Sequence, residues 1–212
     1  MTFRGSGGLW EGWRFEEVAT PGAWERDPEM VLRFYNMRRR QVAQAQPNAA
    51  HLALAKLGDR HDVTIITQNV DDLHERAESE RVIHLHGEIM KVRSSSDWTY
   101  VVNWGARDLS LGDLCPLGSQ LRPHIVWFGE DVPEFTRAIP VVREADVLLV
   151  VGTSLKVYPA AGLVDFVRPG TPIFVVDPDS SVAPLASDGD VQFFTEPAAK
   201  AVPKIVEELM QE

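Results

Sequence analysis

The sequence of 212 residues predicts an α/β fold, namely a Rossmann-like doubly wound parallel sheet with a small inserted module. Short apolar runs rich in β-branched residues alternate with helical segments, which is typical of parallel strands covered by helices on both faces. Several of these runs end in glycine or polar residues, as strands do where an open α/β sheet binds a ligand. Residues 88–122 interrupt the alternation with serines, a strand-like aromatic stretch and turn glycines, and this interruption predicts the module.

The first half of the chain is predicted to contain a loop, three helical segments and two strands. Residues 1–27 show neither a helical nor a strand period, so they predict a loop with one short helix. Asp27 followed by Pro28 is a helix start signal, because the carboxylate can cap the helix and proline fits its first turn. The other predicted elements are helices at 28–46, 49–57 and about 72–80, and strands at 63–67 and 82–86.

The second half of the chain predicts the rest of the sheet. The apolar run at 146–151 is continuous, as expected of a strand covered on both faces. It ends at Gly152, and a helix is predicted to begin near Ala160. Further strands are predicted at 125–128, 172–176 and 191–194, and a closing helix at 198–210.

The chain length fits one domain, or one large domain with a small insert. The Rossmann-like domain is predicted to comprise residues 1–87 and 123–212, and the module residues 88–122. The helices at about 28–57 are assigned to the small domain, on the substrate side.

The composition excludes several classes of protein. A net charge of −10 and a pI near 5.1 argue against a nucleic-acid binder, whose surface would be basic. No apolar stretch approaches the roughly 20 residues that cross a bilayer, and the N-terminus lacks the apolar core of a signal peptide. The single cysteine, Cys115, excludes an internal disulfide and fits a reducing compartment. We therefore expect a cytoplasmic protein with no nucleic-acid or membrane partner.

Polar residues follow two of the predicted strands. Gln68, Asn69 and Asp71 come after the first strand, and His86 with Gly87 comes after the second. Polar groups that converge from two strand ends of an α/β sheet predict a site. An imidazole, which titrates near neutral pH, can act there as a general base toward a sugar hydroxyl. The alternative is that His86 is a structural hydrogen-bonding residue, which is the commoner role of a single histidine.

Two later strand ends suggest a nucleotide. Gly152, Thr153 and Ser154 leave a buried strand before a helix, where backbone amides and hydroxyls can bind a phosphate. Asp177 ends the next covered strand, where a carboxylate can accept hydrogen bonds from a ribose diol. Each signal alone has a simpler explanation as turn chemistry. The two together favour a nucleotide.

Five segments, in this order along the chain, resemble motifs of the sirtuins, which are NAD-dependent protein lysine deacylases. They are 67–74 (TQNVDDLH), 84–88 (HLHGE), 126–130 (VWFGE), 152–154 (GTS) and 157–160 (VYPA). Phe3 and Arg4 resemble the end of the opening cofactor motif of that family. The segments 17–21 (EVATP) and 35–40 (YNMRRR) look most like the bacterial branch of class III.

The resemblance implies a role for each residue of the cofactor site. His86 would be the general base that activates the ribose of NAD. Asn69 and Asp71 would line the nicotinamide pocket, with Gln68 beside the ribose. The other implied contacts are Arg4 in the cofactor loop, Gly152, Thr153 and Ser154 at phosphate and ribose, and Asp177 at the adenosine ribose, where the family usually has asparagine.

The resemblance also implies the substrate and the reaction. An acylated lysine protein or peptide would add a strand, main chain to main chain, to the segment that contains Val126, Phe128, Gly129 and Glu130. The acyl oxygen would attack C1′ of the nicotinamide ribose and expel nicotinamide, after which the acyl group moves to the ribose. The products would be free lysine, nicotinamide and O-acyl-ADP-ribose.

Tyr35 and Arg38 match the pair that reads the acyl group in class III. Their spacing puts them on one face of a helix, where a guanidinium beside a phenol can bind a carboxylate. The implied substrates are succinyl-, malonyl- and glutaryl-lysine, with acetyl-lysine also possible. The alternative is that Arg38 belongs to a solvated basic face and that Tyr35 packs in the core.

The sequence departs from the family in two places. The family opens with a strand and a glycine-rich loop before the Phe-Arg pair, whereas this chain begins two residues before Phe3. We therefore expect either that the true start lies upstream or that the protein is truncated and binds NAD weakly. The second departure is zinc, which the family usually holds with four cysteines in two pairs.

The donor residues for zinc are absent from the predicted module. Cys115 stands alone, and Ser94, Ser95 and Ser96 occupy the region of the first cysteine pair. Serine hydroxyls are poor zinc ligands, so we predict no zinc. The module is expected to be held by packing of Trp98, Tyr100, Val101 and Trp104.

Two alternative functions stay open on the sequence alone. One is a catalytically weak NAD- or ADP-ribose-binding homologue, which the missing glycine-rich loop would favour. The other is an NAD hydrolase or ADP-ribosyltransferase that uses the same pocket.

Overall fold

A computed structural model describes residues 12–153, 158–179 and 191–211. The described parts divide into two compact units, and we describe each by itself. The first unit comprises Met1–Ala45 and His86–Asp131, and the second comprises Gln46–Leu85 and Val132–Glu212.

The described secondary structure contains seven α-helices, eight strands and one 3₁₀ helix. In chain order the elements are α1 (Phe15–Val18), α2 (Pro21–Arg26), α3 (Pro28–Gln44), α4 (Ala49–Leu57), β1 (Ile65–Thr67), α5 (Leu73–Arg76), β2 (Val82–His84), β3 (Gly87–Ser94), β4 (Val101–Asn103), β5 (Leu121–Ile125), α6 (Pro133–Glu144), β6 (Leu148–Val151), the 3₁₀ helix (Ala160–Phe166), β7 (Ile173–Val176), β8 (Val191–Phe194) and α7 (Ala198–Leu209). No described helix has both the length and the apolar character needed to cross a membrane.

Helix α3 begins where the sequence predicts. The side chain of Asp27 accepts a hydrogen bond of 2.9 Å from the Met30 amide, and Pro28 occupies the first turn. The helix ends at Gln44, two residues before the predicted end, since Ala45 is already extended. The stretch before it is more helical than predicted, because α1 and α2 both lie within the predicted loop.

The first unit is built on an antiparallel sheet with strand order β4-β3-β5. Its core contains buried Leu32 from α3 and Val92 from β3, together with Leu109, Cys115 and Leu121. Of the residues expected to hold the module, Tyr100 and Trp104 do pack against this core. The prediction was wrong for Trp98, which is 48% exposed. Its ring lies under the Arg93 guanidinium, whose carbon is 3.8 Å from the ring centroid.

Helix α3 is tied to the rest of the first unit by buried polar groups. Arg39 is 0% exposed and its Nε donates to the carbonyl oxygen of Ile89 at 2.9 Å. Its Nη1 donates to the side-chain oxygen of Asn36 at 2.7 Å. Asn36 also exchanges two hydrogen bonds of 2.9 Å with the backbone of Leu109. The helix therefore contributes to this unit by specific hydrogen bonds as well as by apolar contact.

The second unit contains the parallel strands that the sequence predicts, and it bears out the α/β class. β1 pairs with β2, and β6, β7 and β8 form a three-stranded parallel sheet. Within the described residues these strands form two hydrogen-bonded groups rather than the single sheet that was predicted. Helix α4 packs against α7 through buried Ala50, Leu57, Ala201, Val202 and Ile205.

The observed units have different boundaries from the predicted domains. The strand predicted at 125–128 as part of the parallel sheet is wrong, because residues 126–128 lie in no strand. Ile125 instead ends β5, which pairs antiparallel with β3. The first unit takes in helix α3 and the strand end at His86, so it is larger than residues 88–122. The two helices predicted together at 28–57 separate, because α4 packs against α7 in the second unit.

Candidate functional site

One edge of the second unit gathers the residues predicted to bind a nucleotide. The register of β6 with β7 pairs Val151 with Val176, so Gly152 and Asp177 leave neighbouring strands at the same edge. Gln68 leaves β1, and its side-chain nitrogen donates to the Thr153 hydroxyl at 3.2 Å. The structure therefore brings together candidate residues from three strand ends. Arg4 and Ser154 lie outside the described residues.

Gly152 leaves its backbone open to a ligand. Its φ is +61°, a conformation that favours glycine, and its amide donates to the Val176 carbonyl at 2.8 Å. A Cβ at this position would meet no atom of the described residues within 4 Å. Open space over a glycine at the carboxyl end of a parallel strand is where a phosphate can approach the main chain. The backbone at Gly152 is therefore open to the approach of a phosphate.

Within the part of the chain that the structure describes, Asp177 has one carboxylate oxygen in a hydrogen bond. This oxygen accepts from the Asp179 amide at 2.8 Å, while the Asp177 amide donates to Phe194 at 3.1 Å. A carboxylate has two oxygens and can accept several hydrogen bonds. The turn explanation and the ribose explanation of this residue are thus compatible.

The loop after β1 is held by the end of β2. The backbone amide of Asn69 donates to the Thr67 hydroxyl at 3.0 Å, and the Asp71 side chain accepts from the backbone amide of Leu73 at 3.1 Å. The His84 ring lies between the Asn69 carbonyl, 3.4 Å from Nδ1, and the Glu75 carboxylate, 2.6 Å from Nε2. Burial raises the pKa of Glu75 and the His84 hydrogen bond lowers it, with a net decrease.

His84 and Glu75 were not predicted as part of the site. The available signal was the HLH spacing, which puts His84 two residues before His86. In the structure His84 is in register with Thr67. A second pair of histidines in the same unit, His51 and His74, has ring centroids 4.7 Å apart, with the rings tilted against each other. Burial, and then the neighbouring His51, lowers the pKa of His74 to about 4.

His86 sits on a turn whose backbone is tightly packed. Its carbonyl oxygen accepts from the Val126 amide at 3.0 Å, and its side chain is half-buried. Gly87 follows with φ of +83° and pairs with Ile125. A Cβ on Gly87 would overlap the carbonyl oxygen of His124 and lie 3.0 Å from the carbonyl carbon. Glycine is therefore required beside His86 for a packing reason as well as for its φ.

Glu130 is the centre of a buried ion-pair network in the first unit. Its side chain is 7% exposed, and its two oxygens accept from Arg122 at 2.6 and 3.1 Å and from Arg93 at 3.1 Å. One of these oxygens also accepts from the Trp127 amide at 2.8 Å. The side chain of Glu130 thus anchors the segment that precedes it.

The backbone of the predicted peptide-binding segment is partly engaged within the chain. The Phe128 amide donates to the Ala19 carbonyl, and the Glu130 amide donates to the Trp127 carbonyl, each at 3.0 Å. These two amides cannot donate to an added strand while those bonds persist. The Phe128 ring is 47% exposed and packs against Phe15, with centroids 4.7 Å apart.

Tyr35 and Arg38 make different contacts on α3. The Tyr35 side chain is only 5% exposed, and its hydroxyl accepts from the Trp127 indole nitrogen at 3.0 Å. Arg38 is half-buried, and its Nη1 donates to the Gln41 side chain at 2.6 Å. Burial raises the pKa of Tyr35 well above its ordinary value, so the phenol stays protonated at neutral pH.

The region where the family holds zinc has a donor set that does not fit the metal. The Ser94 hydroxyl is within hydrogen-bond distance of the Ser96 hydroxyl, which in turn bonds Ser119. The hydrogen bond with Ser94 lowers the pKa of the buried Cys115 thiol. One thiol surrounded by hydroxyls lacks the cysteine and histidine ligands of a structural zinc site.

Comparisons with known proteins point to one family. The Sir2 family model matches residues 1–159. An NAD-dependent protein deacylase of Helicobacter pylori strain J99 is 49% identical over 215 residues, covering 100% of this chain and 91% of that protein.

Two solved structures resemble the chain over nearly its whole length. A mutant Sir2 homologue in complex with ADP-ribose has a TM-score of 0.86 and 40% identity, covering 99% of this chain and 85% of its own. A Sir2 homologue in complex with NAD has a TM-score of 0.84 and 41% identity, covering 100% and 83%. The segments that carry Gln68, His86 and Gly152 fall within the family match, and Asp177 lies beyond it.

Proposed function

This chain belongs to the Sir2 family and is an NAD-dependent protein lysine deacylase, and we propose that it prefers succinyl- and malonyl-lysine, with glutaryl- and acetyl-lysine as further substrates. The observation that carries the NAD-binding part is the hydrogen bond from Gln68 to Thr153 beside the open backbone of Gly152. It joins two strand ends at the edge where α/β sheets bind nucleotides.

The residues of this edge are proposed to hold NAD, which supplies the ribose that receives the acyl group. Gly152 and Thr153 offer a main-chain approach and a hydroxyl to phosphate and ribose, with Gln68 beside the ribose. The second oxygen of Asp177 accepts from the adenosine ribose diol. Arg4 and Ser154 remain proposed cofactor contacts from the sequence alone.

Asn69 and Asp71 are proposed to recognise the nicotinamide carboxamide. An amide and a carboxylate complement a carboxamide, which both donates and accepts hydrogen bonds. Two backbone contacts of Asn69 support this role. Its N–H bonds the Thr67 hydroxyl and its C=O lies beside the His84 ring, so the main chain of the loop is held in place.

His86 is the proposed general base. It would remove a proton from a ribose hydroxyl so that this oxygen can attack the acyl carbon once nicotinamide has left, a step to which a positioned base contributes about 10²–10⁴-fold. The bond between its carbonyl and Val126, and the close packing of Gly87, hold the backbone that presents the ring. Precise positioning of this kind is what such a base requires.

The acylated peptide is proposed to pair with the main chain around Val126 and Gly129. Phe128 and Glu130 would take part through their carbonyl groups, because both of their amides donate within the chain. The ion pairs of Glu130 with Arg93 and Arg122 would keep this segment rigid enough to accept a strand.

The acyl preference rests on Tyr35 and Arg38, one turn apart on α3. A protonated phenol and a guanidinium can both donate to the carboxylate that succinyl and malonyl groups carry and acetyl groups lack. Burial raises the pKa of Tyr35, so its phenol keeps the proton that it would donate.

One assay tests both parts of the proposal. NAD-dependent turnover of matched succinyl- and acetyl-lysine peptides is followed by mass spectrometry for the wild type, His86→Asn and Arg38→Met. His86→Asn should lower kcat for both peptides by about 10²-fold or more while calorimetric NAD binding persists. Arg38→Met should lower kcat/KM for the succinyl peptide about tenfold more than for the acetyl peptide.

Matched controls are available in the chain. His61→Asn changes an exposed histidine whose ring bonds the Leu209 carbonyl, and Arg40→Met changes an exposed arginine of α3 paired with Asp108. Neither should change turnover more than about twofold. If His86→Asn kept wild-type turnover, the assignment of the base would be wrong. An unchanged succinyl-to-acetyl ratio in Arg38→Met would refute the acyl preference alone.

A further inference from the structure

The indole of Trp127 determines how the hydroxyl of Tyr35 can be used. An indole nitrogen only donates, so in the 3.0 Å contact the phenol oxygen is the acceptor. The two residues are 2% and 5% exposed, so water does not compete freely for this bond. The indole N–H is therefore the donor of this hydrogen bond and the Tyr35 hydroxyl oxygen is its acceptor.

The phenol proton of Tyr35 is left to donate elsewhere. Among the described residues, this accepted bond is the one hydrogen bond that the structure gives the Tyr35 hydroxyl. A hydroxyl that accepts a hydrogen bond becomes a stronger donor, because linked hydrogen bonds polarise one another. Trp127 thus leaves Tyr35 with an O–H group that is oriented and strengthened as a donor.

Trp127 itself is held on several sides. The Arg122 guanidinium carbon lies 3.3 Å from the centroid of the indole ring, and Trp24 lies on the ring with a centroid distance of 5.8 Å. Glu130 bonds both the guanidinium of Arg122 and the backbone amide of Trp127. A side chain with both its ring and its backbone engaged cannot readily turn its N–H away from Tyr35.

We propose that Trp127 is a positioning residue for acyl selectivity, which orients the Tyr35 hydroxyl so that it donates to the carboxylate of a succinyl or malonyl group. This inference rests on the proposed function of Tyr35 and Arg38. In this scheme the side chain of Trp127 acts through Tyr35 and touches neither the peptide main chain nor the acyl carbonyl. Deacetylation therefore does not depend on its N–H group.

The test compares Trp127→Phe, Tyr35→Phe and the double variant on succinyl- and acetyl-lysine peptides. Phenylalanine keeps an aromatic ring for Arg122 to stack on and removes the N–H group. Tyr35→Phe should lower kcat/KM for the succinyl peptide about tenfold more than for the acetyl peptide, mainly through KM. Trp127→Phe should give a loss of about three- to tenfold with the same selectivity, and the double variant should lose no more than Tyr35→Phe.

The control variant is Trp24→Phe, which changes a ring in contact with Trp127 without removing a donor to Tyr35. It should leave the succinyl-to-acetyl ratio within about twofold. Equal losses on both peptides in Trp127→Phe would overturn the inference and reduce Trp127 to a packing residue. A selective loss in Tyr35→Phe with none in Trp127→Phe would also overturn it, while the proposed acyl preference would stand.

A measurement on the unmodified side chains covers the case in which Trp127→Phe does not fold. The indole N–H resonance of Trp127 is assigned in ¹⁵N-labelled protein by its shift in Tyr35→Phe. Addition of the succinyl peptide should shift this resonance, because the Tyr35 hydroxyl gains an acceptor, and the acetyl peptide should shift it much less. Equal shifts with both peptides would contradict the inference. If neither Tyr35→Phe nor Arg38→Met changes the ratio, the acyl preference itself is wrong.

Discussion

The substitution Gly87→Ala tests whether the turn that presents His86 depends on a missing side chain. Gly87 has φ of +83°, and placing an L-residue in this region costs about 1–2 kcal/mol. The added methyl would also overlap the carbonyl oxygen of His124 and lie 3.1 Å from the Cα of Ile125. Because both atoms belong to the backbone of the paired strand β5, the strands must separate, at a further cost of about 1–3 kcal/mol.

The expected destabilisation for Gly87→Ala is therefore about 3 kcal/mol or more, a large part of the stability of a typical domain. Gly105→Ala is the matched control in the same unit. Its φ is +65°, but a Cβ there would meet no atom within 4 Å, so only the conformational cost of about 1 kcal/mol applies. The difference between the two variants isolates the steric part, about 2 kcal/mol.

The assay is urea unfolding followed by tryptophan fluorescence, with the free energy of unfolding taken from the midpoint and slope. Deacylation should also fall in Gly87→Ala at temperatures where it remains folded, because β5 carries the chain into the Val126 contact with His86. Equal destabilisation by Gly87→Ala and Gly105→Ala would refute the argument, since it would mean that strand β5 moves away at no cost.

Two further predictions concern charge. Glu130→Gln should destabilise the protein by about 3–5 kcal/mol in the same unfolding assay, because two arginines that are 3% and 7% exposed lose their carboxylate. Glu134→Gln, whose partner Arg137 is 73% exposed, should change stability by less than about 0.5 kcal/mol, and similar values for both variants would count against a buried network. The free energy of unfolding should also fall as the pH is lowered from about 6.5 to about 4. Burial lowers the pKa of both His74 and His124 to about 4 in the folded protein. In this pH range the unfolded chain therefore binds protons that the folded chain does not, and unfolding is favoured. Each histidine should account for about 1–2 kcal/mol of this change in the free energy of unfolding, after allowance for partial exposure. His74→Gln should flatten the pH dependence of the urea midpoint. If this pH dependence were unchanged, His74 would have the same pKa in the folded and unfolded states.

Local signals in the sequence were sufficient for several elements. Asp27 followed by Pro28 predicts the start of α3 because capping and the proline ring act within a few residues. The glycine after β6 and the aspartate after β7 predict one edge of the second unit, because parallel strands share their carboxyl ends.

Contacts between distant residues could not be predicted in the same way. The bond between Tyr35 and Trp127 joins residues 92 positions apart, and the bond between Arg93 and Glu130 joins residues 37 apart. In sequence, Glu130 looks like an exposed acidic residue in a peptide-binding motif, and only burial shows that it is a counter-ion. The strand predicted at 125–128 was wrong for the same reason, since an apolar run does not reveal whether its partner is parallel or antiparallel, and the observed strand β5 ends at Ile125.

The buried guanidinium of Arg39 limits how the selectivity of this protein can change. Its bond with the Ile89 carbonyl fixes α3 against strand β3, one turn beyond Tyr35, and its bond with Asn36 holds the guanidinium within the helix. Removing or adding one residue between Asp27 and Arg39 would rotate the preceding part of the helix by about 100° relative to that anchor. Adaptation to acyl chains of another length would therefore have to come from exchanging side chains on an unmoved helix, and insertions in this stretch should be selected against.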